Sequence, residues 1–290
     1  RSRTLMEKQV IISVHAHPDD EASKGAALIA RYSDSGVRTV LVTATGGEAG
    51  DILNPAMDTP AVRDDLPRVR ADELAEAVKI IGYDRAEMLG YRDSGMPDSE
   101  ANQDPACFAR AGLDEAAGRL ARIILEERPQ VMLTYPEIQR RYPHPDHIRV
   151  HEVSMRAREL AADPSFAQAA GEEPHLVAKV YYHVWAPERM HALHAKFLEL
   201  GKESPYSPEW LASAEADYAV TTKIDITGFH ARRSAALRAH ATQIDPESRH
   251  WFGLSDAEAE EAYPTEDLYL AVAPEGYSPQ GIETDVFAGL

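Results

Sequence analysis

The sequence predicts an α/β protein built on a mostly parallel sheet with helices on both faces. Three observations carry this. Short apolar runs alternate with helical patterns through the first half, and strands spaced in that way imply βαβ units with right-handed crossovers. Val10–Val14 and Val40–Val42 are apolar almost throughout, as strands covered on both faces are. Proline and glycine punctuate the helices, with Pro67 at a helix start and Gly36 and Gly82 just past helix ends.

In chain order, strand-like runs fall near 9–15, 38–44, 85–90 and 130–135. Helical patterns cover Glu21–Tyr32, Pro67–Ile81 and Leu113–Glu127. The second half is less regular. Ala162–Pro174, polar and containing Gly and Pro, reads as a loop, either a lid or an insertion. Lys179–Trp185 reads as a strand, Met190–Leu200 and Phe229–Thr242 as helices, and Glu266–Val272 as a late strand. No repeat, low-complexity tract or long linker divides the chain. Residues 1–290 are therefore expected to form one domain, with an α/β core over about 1–160 and a subregion over about 161–290 capping the active-site face.

At 44% apolar and 27% charged, the 290 residues are ordinary globular material. A formal charge of −18, from 48 acidic against 30 basic residues, argues against nucleic acid as a partner, because phosphates require basic patches. No window approaches a membrane span, and Arg1–Thr4 leads into a strand pattern rather than a signal peptide. One cysteine, Cys107, leaves no internal disulfide and fits a reducing, cytoplasmic setting. With no base beside it, Cys107 reads as a passive thiol.

The chemistry lies at two strand exits. His15-Ala16-His17-Pro18-Asp19-Asp20-Glu21 follows Val10–Val14, placing two imidazoles and three carboxylates within seven residues. Tyr142-Pro143-His144-Pro145-Asp146-His147 follows Gln130–Tyr135 and opens into a helical pattern. Open α/β sheets put ligands at the carboxyl ends of their strands. His with carboxylate suits Zn²⁺ or a similar divalent ion, and two such loops converging on one ion leave a coordination position open for catalysis.

These loops resemble the signature of the LmbE-like (PIG-L) zinc-dependent N-deacetylases and amidases, a His-Pro-Asp-Asp-Glu loop early in the chain and a His-Pro-Asp-His loop midway. The likeness runs from about Val10 to the C-terminus and implies a Rossmann-like, LmbE-type fold. Ala44–Asp58, Gly90–Met96 and Asp285–Leu290 resemble the amidase branch, which acts on S-conjugates of the thiol mycothiol. That resemblance implies a small-molecule thiol conjugate as substrate and a role in detoxification. The family also holds deacetylases of N-acetylglucosaminyl-inositol, and a related amidase could trim a thiol-conjugated intermediate in antibiotic synthesis. A non-catalytic metal- or sugar-binding module could dispense with the base, so the intact Asp19 and His144 weigh against one.

On the family pattern, His17, Asp20 and His147 resemble the metal ligands, with Zn²⁺ expected and Fe²⁺ left open by a mixed N/O set. Asp19 resembles the general base. His144 suits an oxyanion stabiliser or an acid for the leaving amine, with Asp146 fixing its tautomer and orientation and Tyr142 adding a hydroxyl donor. Asp146 also suits an N-cap before a helix over Ile148–Arg158. Glu21 is expected to cap or orient the first helix. His15 reads as packed or supporting, and His151 as a partly exposed helix residue. Lys24 resembles a substrate contact of the amidase branch, or an exposed helix lysine. Arg70, Asp93 and Met96 resemble residues lining the sugar–inositol pocket, while Arg70 with Glu73 also reads as a helix-surface pair.

Overall fold

The structure is a computed structural model and describes residues 8–212 and 216–290. Arg1–Thr4, expected to lead into the first strand, lies outside the described residues. Among the described residues, seven strands form one sheet: β1 (Val10–His15), β2 (Arg38–Thr45), β3 (Arg85–Tyr91), β4 (Val131–Thr134), β5 (Lys179–His183), β6 (Thr222–Asp225) and β7 (Thr265–Val272). Their spatial order is β3-β2-β1-β4-β5-β7-β6. The first five in that order run parallel, and β7 pairs antiparallel with both β5 and β6. Three strands come from beyond residue 161, so that subregion extends the sheet.

Both faces of the central strands are dry. Ile12 and Val14 of β1 pack into one apolar cluster, with residues of α4 (Leu113–Glu127) and α5 (Pro145–Ala162), helices in chain order after α1 (Asp20–Ser23), α2 (Ala26–Asp34) and α3 (Leu66–Ile81). Ile11 turns to the opposite cluster, with Leu28, Leu74 and Ile81 of α2 and α3, and with Leu237 of α8 (His230–Ala239), which follows α7 (Pro187–Glu199), several short helices being left unlabelled. This two-sided cover is why β1 is apolar at nearly every position.

Two expectations need correction. The helix predicted over Glu21–Tyr32 is broken into α1 and α2 at Gly25, whose φ is +85° and whose place a Cβ would fill 2.8 Å from the His183 ring. Ala162–Pro174 is not a polar loop. It contains α6 (Pro164–Ala170), N-capped by Asp163, which turns Ala167 into the core and packs Phe166 against it, away from any lid position. No helix among the described residues is long and apolar enough to cross a membrane.

The C-terminal tail is fastened to β5 by a buried ion pair. Lys179 is fully buried, with Nζ 2.5 Å from Glu283 Oε1 and 3.0 Å from the Ala288 carbonyl. Glu283 also accepts hydrogen bonds from Thr222 and Tyr277. Removing one partner leaves the other charge buried and uncompensated. Glu283→Ala is therefore expected to lower the unfolding free energy by about 3–5 kcal/mol, read from urea denaturation.

Candidate functional site

Strand order reverses between β1 and β4, which are adjacent and leave their carboxyl ends side by side. The two histidine loops start there, in the crevice where open α/β sheets bind ligands. Asp19 turns the first loop with φ 112°, in the left-handed region that non-glycine residues seldom occupy. In the second loop His144 is the N-cap of α5, its ring Nδ1 accepting from the Asp146 N–H at 3.1 Å. Asp146 itself is therefore not the N-cap, and the helix begins at Pro145, three residues before the expected start.

His17, Asp20 and His147 converge. Asp20 Oδ2 lies 3.5 Å from His17 Nδ1 and 3.4 Å from His147 Nε2. Ligands about 2.1 Å from one ion at tetrahedral corners stand about 3.4 Å apart, so this donor set fits a single divalent ion. A second group, His17 with Asp93, His144 and Asp146, also brings its donor atoms within 4.8 Å of one another. Its carboxylates are already engaged. Asp146 Oδ2 accepts from the Ser94 N–H at 2.9 Å, and Asp93 accepts from the Gly95 N–H at 2.8 Å and the Ala49 N–H at 3.2 Å. They face His17 Nε2 from 3.1 Å (Asp146) and 3.5 Å (Asp93), the carboxylate–histidine arrangement that fixes a ligand imidazole.

Asp146 was expected to orient His144 through its carboxylate; it orients His17 instead, and meets His144 through its backbone N–H. With Nδ1 accepting, the neutral His144 ring carries its proton on Nε2. Burial lowers the His144 pKa to about 4, helped by the neighbouring His17 and His147, so the ring is neutral at pH 7. Tyr142 is 55% exposed, its ring 5.9 Å from that of His144 and 5.3 Å from that of His147.

Asp19 is raised to about 6 by burial and by the Asp20 charge, against the opposing Arg70 guanidinium 3.2 Å away. Arg70 and Glu73 do not form a surface pair. Both are buried, Arg70 donating to the carbonyls of Pro18 and Gly47 and Glu73 accepting from the Thr242 N–H and hydroxyl. Lys24 is not a free helix lysine either: its ammonium lies 2.7 Å from Asp20 Oδ1. Met96 is half exposed on the loop that follows β3. His15 is buried between Ser13 and Tyr135 with its pKa lowered by burial to about 3, and His151 is partly exposed.

Several supporting residues escaped the sequence reading. Tyr135 stacks on His147 at 4.5 Å and 8°, and Ser94 grips Asp146 through both backbone and hydroxyl. Glu21 accepts from the Asp19 N–H and meets His240 Nε2 at 2.5 Å, tying the first loop to α8. Density of His and Asp signals the two loops; nothing local signals that Ser94 meets Asp146, 52 residues on, or that His240 meets Glu21 from 219 residues away.

Two outcomes are expected from metal analysis. His147→Ala leaves no tightly bound ion per chain, and Asp146→Asn retains the ion with affinity weakened roughly 10–100-fold, as loss of an orienting carboxylate does.

The profile of the PIG-L family, described as GlcNAc-PI de-N-acetylase, matches residues 12–158, which span both loops. The chain is 41% identical over 291 residues to the mycothiol S-conjugate amidase of Streptomyces coelicolor, covering 97% of each. It is also 41% identical over 302 residues, 99% of each, to the 1D-myo-inositol 2-acetamido-2-deoxy-α-D-glucopyranoside deacetylase of Streptomyces avermitilis. Among solved structures, the N,N'-diacetylchitobiose deacetylase of Pyrococcus horikoshii superposes with TM-score 0.62 at 17% identity, covering 91% of this chain and 84% of that one. The 4-carboxy-2-hydroxymuconate hydratase of Pseudomonas putida does so with TM-score 0.61 at 15% identity, over 93% and 99%. Those two likenesses show the fold, and their differing reactions show that the fold alone does not name the chemistry. With a profile match across both histidine loops and relatives 41% identical along its whole length, this chain belongs to the PIG-L family of amide-cleaving hydrolases.

Proposed function

We propose that the protein is a Zn²⁺-dependent amidase that cleaves the amide between glucosaminyl-inositol and the N-acetylcysteinyl group of mycothiol S-conjugates. The products are the amino sugar and a mercapturic acid, and the role is cytoplasmic detoxification. The observation that carries this reading is a cavity of about 360 Å³ opening beside the donor set, lined by His147, Lys24 and Tyr142. A deacetylase needs room for a methyl group only, whereas an amidase must seat a bulky acyl group. Arg70 and Asp93 are buried and already engaged, Arg70 by Pro18, Gly47 and Asp19 and Asp93 by backbone N–H groups and His17, so of these three residues the half-exposed Met96 is the one assigned to the sugar–inositol side.

His17, Asp20 and His147 would hold a divalent ion, which when bound would supply Lewis acidity and lower the pKa of water to about 7. Asp19, ionised at neutral pH and steadied by Arg70, takes the proton from the attacking water. His144, neutral with its proton on Nε2, donates a hydrogen bond to the developing oxyanion, and the proton that Asp19 took from water passes to the departing amine nitrogen. Tyr142 adds a hydroxyl donor from the cavity side. Lys24, reaching from Asp20 to the cavity wall, contacts the acyl portion.

The second reading, deacetylation of N-acetylglucosaminyl-inositol, is favoured by the 41% identity to the Streptomyces avermitilis deacetylase. Parallel assays of a mycothiol S-conjugate and the N-acetyl sugar, with one metal-loaded preparation, separate the two. Higher kcat/KM on the conjugate is expected, with Lys24→Ser narrowing the gap; preference for the N-acetyl sugar gives the reaction to the deacetylase reading. Asp19→Ala should retain the metal and lose roughly 10²–10⁴-fold in turnover. Near-native turnover in that variant removes Asp19 as the base.

A further inference from the structure

We propose that the cavity beside His147 is a binding site for a flat aromatic substituent on the acyl side of the scissile amide. The proposal deepens the amidase reading and rests on it. Its walls are rings: Trp185 just beyond β5, Trp210, Tyr218, Tyr135 and Tyr142. Polar groups such as Lys24, Arg141 and Asp217 also line it, and Asp217 is engaged by the Arg140 N–H at 3.1 Å.

The rings are fixed in place by contacts with neighbouring residues of the protein. The Tyr218 hydroxyl accepts from the Ile138 N–H at 3.1 Å, and its ring packs edge-on to Tyr182 at 5.6 Å and against Tyr269 at 5.0 Å. Trp210 stacks on Tyr206 at 5.4 Å, and Trp185 on His250 at 6.1 Å and 15°. A site preorganised in this way loses little side-chain entropy when a ligand enters.

Exposure points to a ligand too. Trp185, Ile138 and Tyr142 remain 44%, 41% and 55% exposed, and all three line this one cavity. Scattered exposed apolar side chains need no explanation, but a contiguous set does. The set adjoins His147 and is concave, and its volume of about 360 Å³ lies in the small-molecule range of roughly 300–1,000 Å³. Rings prefer offset or edge-on ring partners over aliphatic groups of equal area. The occupant is therefore the group on the conjugate sulfur, and a planar aromatic one fits best.

The test compares S-benzyl, S-cyclohexylmethyl and S-methyl conjugates of mycothiol. Expected is a fall in kcat/KM of roughly 10–100-fold from benzyl to methyl, with cyclohexylmethyl several-fold below benzyl. A second readout needs no turnover. S-benzyl-N-acetylcysteine should quench the fluorescence of the metal-free protein, which has three tryptophans, and Tyr218→Ala and Trp185→Leu should each weaken that binding about tenfold. Equal efficiency on all three conjugates, or cyclohexylmethyl matching benzyl, overturns the aromatic site and leaves the amidase reading standing. If no conjugate is cleaved but the aromatic acid still binds and both variants weaken it, the site stands and the amidase reading falls. Absence of quenching in the wild type overturns the site directly.

Discussion

The imidazole of His17 is held through both of its nitrogens, and the site is assembled around that fact. Nδ1 faces Asp20 and the donor set, while Nε2 faces Asp146 and Asp93. Asp146 is in turn fixed by Ser94 on the loop after β3. One ring therefore connects three loops that leave three different strands. A ring so held has a fixed orientation, which is what a ligand imidazole needs before any ion arrives.

That arrangement buries Asp20, Glu21, Asp93 and Asp146 and half-buries Asp19, in a chain whose net charge is already −18. Buried carboxylates are costly unless paired or hydrogen-bonded. The chain answers each one: Arg70 for Asp19, Lys24 for Asp20, His240 for Glu21, and backbone N–H groups for Asp93 and Asp146. Arg70 comes so close to the Gly47 carbonyl that a Cβ at Gly47 would collide with the guanidinium. The C-terminal half enters this accounting through His240, on the turn just after α8. It is thus part of the scaffold that holds the first histidine loop.

The sheet was legible because its signals are local. Apolar runs mark the parallel strands, and the bounds of α4 coincide with the helical pattern Leu113–Glu127. Where tertiary contacts decide, the reading failed. Gly25 breaks a good helical pattern because His183 occupies the space beside it. The α6 segment becomes a helix because Phe166 and Ala167 find a core to enter, a fact absent from its own polar composition. The edge strand β6, four residues long, carries too little pattern to be seen. In the site, the two histidine loops were visible as dense local motifs. Tyr135 and Ser94 were not, since a tyrosine at a strand exit and a serine in a turn carry no local sign of the residue they meet, and Asp146 was paired with the wrong histidine because adjacency along the chain is a poor guide to where a carboxylate points.

The left-handed backbone of Asp19 has a consequence for how this protein can change. A non-glycine residue held in such a conformation stores about 1–3 kcal/mol of strain, here sustained by Arg70 and Glu21 on either side. Glycine at position 19 would release that strain while removing the carboxylate. With Asp19 as the proposed base, selection for thermal endurance alone would push this position toward an inert protein. On that reading, screens for sturdier variants must carry an activity gate, or they will drift toward well-folded chains that no longer turn over.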